Sequence, residues 1–201
     1  MIGEKMSVNN ITLLADTKYL KLYNAEYTNK KGGLKNWSIA SRKDLTTLRN
    51  NYFNGADENI DAVIVVATHM DEDKIVVIKQ FRIPLNDYVY EIPAGLIDPG
   101  EDLETTAKRE LKEETGLDLI EIDYNKTKPK VYVSTGMTDE SVALVYCTCS
   151  GKISKEYLED DEDIEIMLLS RPEAMNLINS NEKIDIKAFL AIQNYIGGAT
   201  I

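Results

Sequence analysis

The sequence is poor in the residues that build several common kinds of active site. Its 201 residues include two cysteines, Cys147 and Cys149, and one histidine, His69. Two thiols are too few for a structural zinc site, and no Ser/His/Asp or Cys/His pairing can be built around His69. We therefore expect the two cysteines, which share one face of a strand-like run, to be buried free thiols. His69 lies in a polar turn and is expected to be a surface residue.

Long apolar runs and positive charge are scarce as well. The longest apolar runs, such as residues 62–67 and 142–145, are far too short to span a bilayer, and residues 1–10 contain no apolar signal-peptide core. This predicts a cytoplasmic protein without a membrane partner. The net charge of −11 argues against nucleic acid as a partner, because binding a polyphosphate needs a basic surface. An acidic protein can still bind phosphate groups if divalent cations supply the positive charge locally.

Short strands and a few helices follow one another irregularly, which favours an α+β fold with a mixed sheet. We place a boundary near residues 57–60, which separates a small antiparallel β segment, residues 1–58, from a main domain, residues 59–201. The first segment is too short to bury much apolar surface alone, so its strands are expected to pair with the main domain or with a second copy of the chain. Strands are predicted at residues 19–27, 34–41, 62–68, 74–81, 89–92, 117–124, 130–134, 142–148 and 164–169, and helical segments at 44–52, 103–115, from 170 onward and 186–196.

The most informative stretch is the predicted helix at residues 103–115, which carries three glutamates in its last turns. At about 100° per residue, Glu110 and Glu114 lie on one face of this helix, and Glu113 lies beside them. These acids border the apolar stripe, so they face the body of the protein. Carboxylates clustered there repel one another and lose hydration unless hard divalent cations occupy the site. The alternative is a solvated acidic face, which is common in acidic proteins.

The spacing of these residues resembles the Nudix box at every defining position. The resemblance implies the Nudix α/β/α sandwich with a mixed sheet, and hydrolysis of a nucleoside diphosphate linked to another group with Mg²⁺, or Mn²⁺ in its place. It also implies that Glu110 and Glu114 are metal ligands, that Glu113 assists catalysis, and that Arg109 holds Glu101 through a charge-assisted pair. The pattern comprises Gly95, Glu101, Arg109, Glu110, Leu111, Glu113, Glu114, Gly116 and Leu117.

Residues 80–82 and 90–98 look like the ADP-ribose pyrophosphatase branch of this family. The resemblance implies that the backbone carbonyl of Ala94 completes the metal shell and that Arg82 contacts the diphosphate. Glu91 and Leu96 belong to the same motif and are expected to contact substrate. Residues 134–140 resemble the Ser-Pro-Gly loop of that branch, with Thr135 where proline is usual, so Ser134 and Glu140 are also expected at the substrate.

Two further segments are interpreted through the same resemblance. Residues 160–164 resemble an acidic loop in which Glu162 ligates metal or acts near the attacking water; Asp160 is the other candidate for the general base, and a plain solvated turn is the alternative. Trp37 and Arg42 lie in a segment that is exchanged between subunits in ADP-ribose pyrophosphatases, where such side chains sandwich the adenine. A position for Trp37 in the core or in an interface is the alternative. A homodimer is therefore expected.

Together these features predict a magnesium-dependent hydrolase of a nucleoside diphosphate sugar. The best candidate is ADP-ribose, which would give AMP and ribose 5-phosphate. One alternative is a related hydrolase that acts on another nucleoside diphosphate sugar, NADH or FAD. Another is a module that binds ADP-ribose without cutting it, although such a sensor does not need the complete acidic box.

Overall fold

The computed structural model describes residues 5–56, 59–159 and 162–198. Backbone contacts divide the chain into two compact units. Unit 1 consists of Met1–Asp61 and Tyr132–Ser141, and unit 2 consists of Ala62–Val131 and Val142–Ile201. The boundary that the sequence suggested near residues 57–60 stays a prediction. No helix in the described residues is long and apolar enough to cross a membrane.

Unit 1 is built on a three-stranded antiparallel sheet in the order β1-β2-β3. The strands are β1 (Ser7–Asp16), β2 (Lys21–Thr28) and β3 (Leu34–Ser41), and helix α1 (Leu45–Phe53) follows them. Asp44 caps α1 by accepting a hydrogen bond from the Thr47 amide. The core of the unit consists of Ile11, Tyr23, Ala25, Ile39 and Leu48.

Strands β4 to β11 form one mixed sheet of eight strands in the described part of the chain. Its main path is β11-β5-β4-β10-β8, with β6 paired to β5, β7 to β4 and β9 to β10. Strand β10 runs parallel to β4, whereas β5 and β7 run antiparallel to β4, so the mixed sheet is confirmed. The strands are β4 (Ala62–His69), β5 (Lys74–Arg82), β6 (Asp87–Glu91), β7 (Ala94–Leu96), β8 (Asp118–Ile122), β9 (Lys128–Tyr132), β10 (Ser141–Ser150) and β11 (Ile164–Leu169).

Three helices in the described residues of unit 2 pack against this sheet. Helix α2 (Leu103–Thr115) contacts β4, β7, β8 and β11, while α3 (Arg171–Ile178) and α4 (Ile186–Gly197) contact each other and β11, β5 and β6. Asp102 caps the start of α2, and Gly116 ends it with a φ of 76°, in the left-handed region that favours glycine. The helix predicted at residues 103–115 is confirmed. The α+β fold class is confirmed as well.

The structure tests the predicted positions of the histidine and the two cysteines. His69 is only 3% exposed and its Nε2 lies 3.0 Å from the carbonyl oxygen of Gly151, so its prediction as a surface residue is wrong. The reason is that β4 extends to His69, which pairs with Lys74 of β5 and aligns with Cys149 of β10. Cys147 and Cys149 are buried and free, as expected.

Candidate active site

The carboxylates of α2 reach strand β7 because Gly95 has no side chain. Gly95 pairs with Val63 of β4. A Cβ atom on Gly95 would lie 2.0 Å from the carboxyl carbon of Glu110, much closer than two such atoms can approach. Glycine is therefore required at residue 95 for the Glu110 carboxylate to lie against the strand.

Two glutamates on consecutive turns of α2 are buried. Glu110 is 9% exposed and Glu114 is 3% exposed. Burial raises the pKa of the Glu114 carboxyl well above its usual value; a hydrogen bond of 3.0 Å from the Ala94 amide opposes this effect, and the charges of Glu110 and Glu162 add to it. Burial also raises the pKa of Glu110, against the opposing charge of Arg109. Each carboxyl therefore resists ionisation unless a further positive charge is supplied.

Arg109 contacts three glutamates, one in the loop before α2 and two on the helix. Its guanidinium lies 2.9 Å from Glu101, 2.7 Å from Glu110 and 2.9 Å from Glu113, and it donates a 3.0 Å hydrogen bond to the carbonyl of Leu96. The side chain of Leu96 itself is exposed. The guanidinium lowers the pKa of the Glu101 carboxyl to about 2. The contact between Arg109 and Glu101 that the sequence indicated is present, and Arg109 fixes the loop before α2 to the helix.

Two expected substrate contacts, Arg82 and Glu91, bind each other. The Arg82 guanidinium makes a paired contact with the Glu91 carboxylate, with distances of 2.6 Å and 2.7 Å. Glu91 is 7% exposed, whereas a large part of the Arg82 side chain is exposed. This contact raises the pKa of Arg82, with a smaller contribution from the charge of Glu114. Glu91 therefore orients an arginine that remains accessible.

The acidic loop is described only in part, because Asp160 lies outside the described residues. Glu162 is half-buried and accepts a 3.0 Å hydrogen bond from the amide of Glu159. Asp163 accepts a hydrogen bond from the hydroxyl of Tyr88, and its carbonyl accepts one from the amide of Phe81. Glu162 is thus two residues from the start of β11, and its charge acts on both Glu110 and Glu114.

The donor atoms at the end of α2 fit a hard divalent cation. Among the described residues, no three histidine, cysteine, aspartate or glutamate side chains are gathered closely enough to hold a metal ion. The Glu110 carboxylate contacts Arg109, and the Glu114 carboxylate contacts the Ala94 amide. However, two buried carboxyls with raised pKa values in the field of Glu162 form an oxygen donor set that a cation would stabilise. Binding would require Glu162 to join these two side chains.

In unit 1, Trp37 forms one wall of a cavity of about 360 Å³. The indole is 54% exposed, so the alternative of a core position is wrong. Its Nε1 donates a 3.1 Å hydrogen bond to the carbonyl of Gly136, which fixes the ring against loop 134–140. Tyr27, Tyr52 and Met137 also line this cavity. A flat apolar group of the size of a nucleobase fits such a lining.

Loop 134–140 is bound to β3 at several points. Ala40 of β3 donates a 2.9 Å hydrogen bond to the carbonyl of Met137, and the Arg42 guanidinium lies 3.0 Å from the Glu140 carboxylate. Ser134 begins the loop with a φ of 52°, which is uncommon for a residue with a side chain. The expected substrate residues Arg42 and Glu140 therefore form an ion pair within unit 1.

Comparisons with known proteins identify the family of this chain. The sequence profile of the NUDIX domain family matches residues 58–189. The chain is 40% identical over 137 residues to the ADP-ribose pyrophosphatase of Bacillus subtilis (strain 168), covering 66% of this chain and 70% of that protein. It is 35% identical over 133 residues to the methanol dehydrogenase activator of Bacillus methanolicus, with coverages of 66% and 70%.

A third relative and a solved structure extend the comparison. The chain is 33% identical over 158 residues to the ADP-ribose pyrophosphatase of Saccharomyces cerevisiae, covering 75% of this chain and 64% of that protein. A crystal structure of an ADP compounds hydrolase shares the fold, with a TM-score of 0.70 at 16% identity over 98% of this chain and 97% of the other. The family profile and the relatives show that the chain belongs to the NUDIX domain family.

Proposed function

We propose that this protein hydrolyses the diphosphate bond of a nucleoside diphosphate sugar, with ADP-ribose as substrate and AMP and ribose 5-phosphate as products. The observation that carries the proposal is the pair of buried carboxyls, Glu110 and Glu114, whose raised pKa values make a divalent cation their natural partner. Membership of the NUDIX family supports the reaction type. The relatives named ADP-ribose pyrophosphatase in two organisms support the choice of substrate.

Mg²⁺, or Mn²⁺ in its place, would be held by the carbonyl of Ala94 and by Glu110, Glu114 and Glu162. When bound there, such an ion neutralises diphosphate oxygens and lowers the pKa of a coordinated water. The protein's own part is to keep these donors in position. Arg109 does so for the α2 end, because it contacts several acids at once.

The remaining active-site residues have separate roles in the proposal. Arg82, oriented by Glu91, offers its positive charge to the diphosphate. Glu113, which Arg109 restrains at 2.9 Å, assists catalysis. Removal of a proton from the attacking water falls to Glu162 or Asp160, and the choice between these two carboxylates stays open.

The cavity of unit 1 is proposed to receive the nucleobase. Trp37 offers a half-exposed indole that Gly136 fixes in place, and a base would stack on it. Arg42, directly after β3, and Glu140 of loop 134–140 provide charged groups for the polar parts of the substrate. Ser134 and the exposed Leu96 complete the proposed contacts.

A substrate panel tests the proposed reaction. Purified protein would be incubated with ADP-ribose, ADP-glucose, NADH and FAD in Mg²⁺, and the products separated by chromatography. We expect the highest kcat/KM for ADP-ribose, AMP and ribose 5-phosphate as products, and no turnover in EDTA. The Glu104→Gln variant is the control, because Glu104 lies on the same helix but pairs with Lys108 at an exposed position. Tight calorimetric binding of ADP-ribose without any product would instead favour the non-catalytic sensor.

We also propose that the protein is a homodimer in which unit 1 is exchanged between two copies. Unit 1 exposes several large apolar side chains that a second copy would cover: Leu13, Leu14, Leu20, Leu22 and Leu34. Light scattering should give about twice the chain mass of 22.6 kDa. A monomeric mass at micromolar concentration would contradict the proposal. The cytoplasmic location that the sequence suggested stays a prediction.

A further inference from the structure

Unit 1 contains a buried group of three charges outside the acids of α2. The Lys43 ammonium lies 3.0 Å from the Asp139 carboxylate and 3.3 Å from the Asp61 carboxylate. Their side chains are only 10%, 16% and 11% exposed, in the order Lys43, Asp139 and Asp61. We call these three residues the Lys43 trio. Burial alone would lower the pKa of Lys43, but its contacts with the two aspartates raise it, so the ammonium stays charged.

The two aspartates of the trio are anchored unequally. Asp61 has a second support, because its carboxylate accepts a 2.8 Å hydrogen bond from the Ser141 amide and its own amide donates one of 2.8 Å to the Ser141 carbonyl. Asp139 contacts Lys43 through Oδ2, while its Oδ1 is buried and accepts no hydrogen bond within the described residues. The position of Asp139 therefore depends on Lys43.

Lys43 is itself fixed to the core of unit 1. Its backbone carbonyl accepts a 2.8 Å hydrogen bond from the hydroxyl of Tyr23, a fully buried residue of β2. Asp139, in contrast, belongs to loop 134–140 and directly precedes Glu140. Lys43 thus connects a rigid part of the unit to a loop that begins with a left-handed Ser134. Such a backbone conformation persists only where surrounding contacts hold it.

We propose that Lys43 is a positioning residue for substrate binding: by bridging Asp61 and Asp139, it holds loop 134–140 in the conformation that receives substrate. This rests on the proposed function, in which Ser134 and Glu140 of that loop contact the substrate. Removal of the ammonium leaves two poorly hydrated carboxylates facing each other without a cation. Asp139 has the weaker anchor, so the loop is the part that moves.

The test is steady-state kinetics of Lys43→Met with ADP-ribose and Mg²⁺. A displaced loop weakens binding of the substrate in the ground state and in the transition state by the same amount. This raises KM and leaves kcat nearly unchanged. We expect KM to rise on the order of tenfold, which corresponds to a loss of about 1.4 kcal/mol of binding free energy. Asp139→Asn weakens the same bridge from the loop side, because it removes the carboxylate charge and keeps the Lys43–Asp61 pair, so it should raise KM even if Lys43→Met folds poorly.

A double variant separates positioning from simple stability. If both side chains act through one bridge, Lys43→Met with Asp139→Asn should have a KM no higher than Lys43→Met alone, because the second change also removes the repulsion between the aspartates. Lys21→Met is the matched control, since Lys21 forms an ion pair of 3.1 Å with Asp16 elsewhere in unit 1. That control should keep the wild-type KM.

The outcomes distinguish this inference from the proposed function. A raised KM in both single variants, with a wild-type KM in the control, supports it. Wild-type KM values in Lys43→Met or Asp139→Asn, even with a lowered melting temperature, overturn it while the proposed function stands. Absence of turnover by the wild-type protein on the whole substrate panel overturns both.

Discussion

Each unit contains a pair of carboxylates with little solvent exposure, Asp61 and Asp139 in unit 1 and Glu110 and Glu114 in unit 2, but the negative charge is balanced differently. In unit 1, the ammonium of Lys43 lies between Asp61 and Asp139. In unit 2, Arg109 reaches Glu110, whereas the hydrogen bond described for Glu114 comes from the neutral amide of Ala94. A carboxylate pair that contacts a protein cation has its negative charge balanced within the protein. A pair without enough positive charge needs either protons or an ion from solution.

The difference is informative because burial disfavours the charged form of the side chain in both places. Burial raises the pKa of Glu114 well above its usual value, and the neighbouring Glu110 and Glu162 raise it further. At the Lys43 trio, the attraction between opposite charges outweighs burial and raises the pKa of the lysine. Carboxyls whose pKa is strongly raised by burial and by like charges are concentrated at functional sites. Two experiments test whether the acids of α2 and the Lys43 trio differ in this way.

The largest expected effect is that of Glu114→Gln on turnover. The amide keeps the volume of the side chain but cannot serve as an anionic metal ligand, so kcat should fall by several orders of magnitude while the fold persists. The melting temperature without metal should be equal or higher, because a buried charge is removed. Asp61→Asn, the corresponding change in unit 1, should keep kcat within the same order of magnitude as the wild type. Undiminished turnover in Glu114→Gln would refute the metal assignment.

A smaller effect is expected in the pH dependence of stabilisation by Mg²⁺. Because folding raises the pKa of Glu114 above 4.5, the carboxyl favours the metal-free folded state fully below about pH 4.5, and this contribution is lost as the pH rises towards the folded value. Mg²⁺ competes with the proton for this carboxyl, so its stabilising effect should grow with pH.

The measurement is thermal unfolding with and without Mg²⁺ at pH 5.5 and pH 8. At a concentration about 100-fold above Kd, the melting temperature should rise by roughly 5–10 °C at the higher pH and by less at the lower pH. Glu110→Gln should reduce the rise, and the exposed Glu104→Gln should not change it. A rise that is the same at both pH values would contradict the link to these buried carboxyls.

The fold could be predicted where local sequence and tertiary structure agree. Helix α2 was predicted from its apolar stripe and from Gly116, and its bounds match the structure at Leu103–Thr115. Strand β1 was not predicted, because register shifts between Val8 and Asn10 and between Leu13 and Ala15 interrupt the alternation of apolar residues that identifies a strand. The burial of His69 depends on strand pairing, which a polar turn sequence does not reveal.

In the candidate site, too, contacts between residues close in sequence were easier to predict than contacts between distant residues. The contact of Arg109 with Glu101 was implied by the resemblance to the Nudix box. Its contact with Glu113 was not predicted, although the two residues lie four positions apart on one helix, where side chains can meet. The Lys43 trio joins residues that are 96 positions apart, and no periodic pattern marks either one. The pairing of Arg82 with Glu91 spans two adjacent strands, but their register places Arg82 opposite Asp87 and Glu91 opposite Ile78, so the strand pattern does not reveal it.

The close packing at Gly95 gives a way to interpret the sequences of related proteins. Any other amino acid would place its Cβ 2.0 Å from the carboxyl carbon of Glu110. A relative that keeps every acid of the box but carries alanine at this position would have to move its Glu110 carboxylate away from the strand. We therefore expect such a relative to bind a divalent cation more weakly at this helix, although all of its acids are unchanged.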